Sequence, residues 1–135
     1  MNMKPYIALL LASMFATQGA LAADLVVIMN TAVTVVPTKD QIADVFLGKS
    51  QSFTPIDLGE SSPLRADFYR KATGRDLAQV KTAWSRIVFT GRGQPPSEML
   101  DAVAVKKAVA ADVRAIGYID RAALDDTVKS VLTLN

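Results

Sequence analysis

Leu25-Val-Val-Ile-Met29 is an unbroken apolar run, and it constrains the fold more than any other segment. It has no polar face, so a strand made from it has to be covered on both sides. The segments after it alternate in type. Thr38-Lys-Asp-Gln41 is a capping box, with Ile42, Val45 and Phe46 at helical spacing behind it and Gly48 suited to the C-terminal cap. Phe53 to Leu58 reads as a second strand, with Pro55 pointing to an edge or an early position in it. Ser62-Pro63 opens a helix in which Leu64, Phe68 and Ala72 share a face and which Gly74 closes. Asp76 restarts helix, with Leu77, Val80, Trp84, Ile87 and Val88 as its apolar stripe. Thr90 to Pro96 reads as an irregular loop, and a further helix falls within Ser97 to Ala111. Ile116 to Ile119 and Thr127 to Leu134 read as strands. Strands alternating with helices predict an α/β layer structure with a partly parallel sheet.

Residues 1–22 stand apart from that pattern. Lys4 and the terminal amine precede the short apolar run Ile7 to Phe15, and Ala20-Leu21-Ala22 is the small-x-small word read by signal peptidase. Thr17, Gln18 and Gly19 interrupt the run well short of the roughly twenty residues a membrane span needs. The expectation is a signal peptide cut between Ala22 and Ala23, then one domain over residues 23–135. The mature chain is expected in the periplasm without membrane insertion.

Composition removes several classes of function. The 135 residues contain no Cys and no His. Disulfides, thiol nucleophiles, cysteine-bound clusters, Ser-His-Asp triads and ordinary His-based zinc sites are therefore excluded. Fifteen Lys+Arg against thirteen Asp+Glu is a near balance, which argues against a nucleic-acid binder. Asp125-Asp126 and Asp101/Asp112 lack calcium-loop spacing, and Gly91-Arg-Gly93 lacks the spacing, lysine and preceding strand of a nucleotide loop. Trp84 reads as core rather than as a stacking platform, and Lys49 as a complement to its helix C-terminus. No metal, cofactor or catalytic constellation is expected, and the protein reads as a non-enzyme.

The segment Leu58 to Arg65 is the most informative for chemistry. A helix N-terminus presents free amides and partial positive charge, so it can hold an oxyanion at the carboxyl end of a strand. Ser61 and Ser62 add hydroxyls, and Arg65, about one turn in, adds a guanidinium. The other reading is that Ser62 caps its own helix and Arg65 lies in solvent. Glu60 favours that second reading, because a carboxylate there repels an anion.

Asp44-Val-Phe-Leu-Gly-Lys49, Gly59-Glu-Ser-Ser-Pro-Leu-Arg65, Trp84, Phe89-Thr-Gly-Arg-Gly93 and Ala115-Ile-Gly-Tyr-Ile119 occur in an order that carries a resemblance. The chain resembles the phosphate-binding proteins of ABC transporters, and more closely the short, exported, single-domain PstS-like proteins. The resemblance implies a single lobe of a type 2 periplasmic-binding-protein fold, α/β with a mixed, mostly parallel sheet flanked by helices. It implies a small oxyanion such as phosphate as ligand, with Glu60, Ser61, Ser62, Leu64 and Arg65 as ligand-binding positions. In the family a Ser-Gly-Thr word holds phosphate. Here Ser61 falls near its serine, Ser62 near its glycine and Pro63 near its threonine, and the arginine follows the word instead of preceding it. One lobe leaves the ligand partly wet, where screened charge pairs give only about 0–1 kcal/mol each. Tight binding then needs a homodimer or a membrane transporter or sensor as partner. The alternative is a periplasmic accessory module that has lost ligand binding and docks onto a sensor, transporter or envelope assembly.

Overall fold

The computed structural model describes residues 24–135. The signal-peptide reading of residues 1–22 lies outside them. In chain order the elements are β1 (Leu25–Met29), α1 (Lys39–Phe46), β2 (Thr54–Leu58), α2 (Pro63–Thr73), α3 (Leu77–Phe89), β3 (Ser97–Met99), α4 (Ala102–Ala111), β4 (Ala115–Asp120) and β5 (Lys129–Leu134). A short 3-10 turn, Arg121–Ala123, comes after β4.

The strands form one mixed sheet in the order β3-β2-β4-β1-β5. Strand β2 runs parallel to both β3 and β4, whereas β1 is antiparallel to β4 and β5. Every residue of β1 is buried, as its unbroken apolar run requires. Neighbouring residues of β4 show how both faces are covered. Gly117 faces α4 so closely that a Cβ there would come within 2.8 Å of Val105. Tyr118 points to the other face and stacks on Phe68 of α2, with ring centroids 3.9 Å apart. Phe46 of α1 meets Phe68, Tyr69 and Tyr118 edge-on and completes an aromatic core under α1 and α2. The architecture is thus an α/β lobe, a mixed sheet flanked by helices.

The helix ends obey local chemistry. Thr38 and Gln41 close a reciprocal capping box on α1, and Asp76 and Gln79 close one on α3. Asp101 Oδ1 accepts from the amide of Ala104 at the start of α4. Gly48 comes just after α1 with φ +76°, beneath Trp84 and Ile87, where a side chain would be both strained and crowded.

The described helices contain no segment long and apolar enough to cross a membrane. The edge strand β3 was not foreseen from sequence. Ser-Glu-Met is too short and too polar to show a period, and parallel pairing with Ile56 to Leu58 makes it a strand. Helix α4 begins only after it.

Candidate functional site

Strand β2 carries the chain to Leu58 at the carboxyl edge of its parallel pairs with β3 and β4. The amide of Gly59 donates to the carbonyl of Met99 (3.2 Å), which ties the adjoining turn to the end of β3. The amide of Ser62 donates back to the carbonyl of Gly59 (3.0 Å) and closes the turn. Helix α2 then starts with Pro63, and no acidic residue stands in its first turn. Ser62 holds the N-cap position with extended backbone, yet its side chain makes no capping hydrogen bond among the described residues. In this respect it differs from Thr38, Asp76 and Asp101. Ser61 is exposed, Ser62 half-buried, and the Leu64 side chain packs against the core.

Arg65 is not a solvated surface side chain. Its Nη1 donates to the carbonyl of Leu58 (3.1 Å) and to Glu98 Oε1 (2.6 Å). Its Nε lies 3.7 Å from Asp57 Oδ2 and, among the described residues, is buried without a hydrogen-bond partner. Burial alone would lower the Arg65 pKa, but Glu98 and Asp57 outweigh it and hold the guanidinium above its ordinary value. Glu60 reaches out instead of folding over the turn: it is 70% exposed and sits 3.6 Å from Lys81 Nζ of α3. Three carboxylates (Asp57, Glu60 and Glu98) thus surround two cations, so the corner carries no surplus positive charge.

Beneath the turn lies a group that the sequence reading missed. Asp57 is 1% exposed, on β2 between the edge strand β3 and β4. Its carboxylate accepts from Tyr69 Oη (2.6 Å), from Tyr118 Oη and from the amide of Leu58 (2.9 Å). Burial raises the Asp57 pKa above the ordinary carboxylate value, opposed by the bonds from Tyr118 and Tyr69 and by the charge of Arg65. Burial, together with the charge of Asp57, pushes both tyrosines well above their usual range. The available signal was an acid inside the apolar strand Pro-Ile-Asp-Leu, since a charge in that setting has to be paired.

Beside Arg65 a cleft of about 470 Å³ opens between α3 and β3. Glu60, Arg65, Lys81 and Glu98 stand on it, over Leu77, Val80 and Trp84. Another opening, of about 560 Å³, lies beside α1 and the Phe53 segment. Its lining includes no cation and none of the ligand-binding positions picked out from sequence, so of these two openings the one at the α2 end is the stronger candidate for an anionic ligand. Among the described residues no group of His, Cys, Asp or Glu could hold a metal ion.

This geometry defines a class: an α/β lobe with a turn and helix start at the carboxyl end of its parallel strands, the place where open α/β sheets bind ligands. Comparison with known proteins finds the same fold in one part of two solved phosphate transport proteins. An ABC-type phosphate transport receptor from Vibrio cholerae matches with a TM-score of 0.63 and 19% identity, over 82% of this chain and 47% of that one. A putative phosphate ABC transporter substrate-binding protein with bound phosphate, from Clostridium perfringens, matches with a TM-score of 0.60 and 21% identity, over 82% and 45% respectively. The chain therefore spans about half the length of these structures, and at such identity the likeness is one of fold. No family model and no curated protein matches.

Proposed function

We propose that the protein is an exported, non-enzymatic solute-binding lobe that holds a small oxyanion such as phosphate at the start of α2. One observation carries the reading: Ser62 occupies the N-cap without capping, so its hydroxyl is free for a ligand. The first-turn amides, Ser61 and the Arg65 guanidinium stand on the same short segment. The likeness to two phosphate transport proteins supports the same ligand class. In this reading residues 1–22 are a signal peptide removed before Ala23, and the protein works in the periplasm. Intact mass of the exported protein checks that cut. Calorimetry with phosphate and sulfate on the mature chain tests the binding. Weak binding is expected, lost in Arg65→Gln and weakened in Ser62→Ala; no heat at millimolar anion removes the claim.

The bonds that Arg65 makes to Glu98 and Leu58 favour a second reading. A cation whose Nη1 is already bonded within the chain fits an accessory module that has lost ligand binding and docks onto a membrane sensor, transporter or envelope assembly, or onto a second copy. Recovery of one stoichiometric envelope partner, unaffected by Ser62→Ala and Arg65→Ala, would favour this reading over the first.

A further inference from the structure

The cleft beside Arg65 is much larger than a tetrahedral oxyanion, and its chemistry is divided. Its volume of about 470 Å³ lies within the roughly 300–1,000 Å³ range of small-molecule sites. Leu77, Val80 and Trp84, the apolar stripe of α3, form one side. On the other side stands Arg65, held in place by the Leu58 carbonyl. Its outer partner, Glu98, is 51% exposed on the short edge strand β3. An incoming anionic head can take the place of Glu98 without moving the guanidinium. A bare oxyanion bound this way would leave the apolar side wet, whereas a ligand with an apolar body would cover it.

We infer that this cleft takes a small organic anion, a phosphate or carboxylate head joined to an apolar or aromatic body, in preference to a bare oxyanion. The inference shares Arg65 with the oxyanion reading and rests on it for a phosphate head. The head pairs with Arg65 while the body lies along Leu77 and Trp84. Lys81, in its loose 3.6 Å pair with Glu60, stands at the mouth as a second cation. Trp84 is the chain's one tryptophan and stands on the cleft, so its emission responds to a ligand there, and the Ala78→Leu variant separates that response from one at Gly48 on its other side.

The test titrates the mature chain with phenyl phosphate, inorganic phosphate and phenylacetate, reading calorimetric heat and Trp84 emission. Phenyl phosphate is expected to bind about tenfold more tightly than inorganic phosphate, in keeping with burial of part of a ring, and to shift the emission. Ala78→Leu, at an exposed position lining the cleft, should abolish that advantage without altering the fold. If inorganic phosphate binds as tightly as phenyl phosphate with no emission change, the inference is overturned while the oxyanion reading stands. If phenylacetate binds with an emission change and inorganic phosphate does not bind, the oxyanion reading falls and the organic-anion cleft stands on a carboxylate head. Failure of all three probes at millimolar concentration overturns both.

Discussion

The two sides of the sheet are built differently. On the β4-β1-β5 side, antiparallel strands run through a dry centre in which β1 is buried along its whole length. On the β2-β3 side the strands are parallel, the edge strand is three residues long, and α3, across the cleft from it, has Val80 as its one buried residue. The candidate binding groups weighed above all belong to the second side: the uncapped α2 start, Arg65, Glu98 and the cleft beside them. The difference fits a division of labour in which one side supplies stability and the other gives it up for accessible polar groups.

The largest expected effect tests that division directly. Phe68 is fully buried and stacked on Tyr118, so Phe68→Ala should cost about 3–5 kcal/mol in urea unfolding. Leu77, half-buried on the cleft side of α3, should cost only about 1–2 kcal/mol as Leu77→Ala. Equal losses would break the comparison, because α3 would then belong to the core.

Asp57 joins the two sides, and its tyrosines give the next effect. Tyr118→Phe removes a donor to a buried carboxylate and should cost about 1–3 kcal/mol by the same measurement. The pH dependence has a definite sign. Burial raises the folded pKa of Asp57 above the unfolded value of 3.8, so between those two values the native state binds more protons than the unfolded state. The contribution of Asp57 to stability is therefore full below pH 3.8 and is lost as pH rises through the raised folded pKa. The stability of wild type minus that of Asp57→Asn should fall over that window. A difference that rises with pH would mean that the tyrosines and Arg65 outweigh burial.

These expectations also separate what the sequence discloses from what it conceals. The run Leu25 to Met29 implied two covered faces, and the boxes Thr38/Gln41 and Asp76/Gln79 marked helix starts, because period and capping are local properties. Position 57 was passed over because its partners, Tyr69 and Tyr118, lie 12 and 61 residues away in the chain. Glu98 likewise meets Arg65 across 33 residues, and nothing near either one announces the pair. The positions Glu60, Ser61, Ser62 and Arg65 were reachable from sequence because they share one short turn and helix start. The charges that decide how that turn behaves come from other elements.

The smallest effect separates a cap that serves the fold from one available to a ligand. Thr38 and Asp76 each accept a hydrogen bond from the amide three residues on, so Thr38→Ala and Asp76→Ala should each cost about 1 kcal/mol. Ser62 occupies the same position on α2 but makes no such bond, so Ser62→Ala should change stability by less than about 0.5 kcal/mol. Urea unfolding of the three variants, run beside phosphate titrations, gives a two-way readout. Stability should fall with the first two while anion binding holds, and anion binding should fall with Ser62→Ala while stability holds. If Ser62→Ala costs as much as Thr38→Ala, the hydroxyl turns inward to cap α2 in solution. The free group on which the oxyanion reading rests would then be in use by the fold.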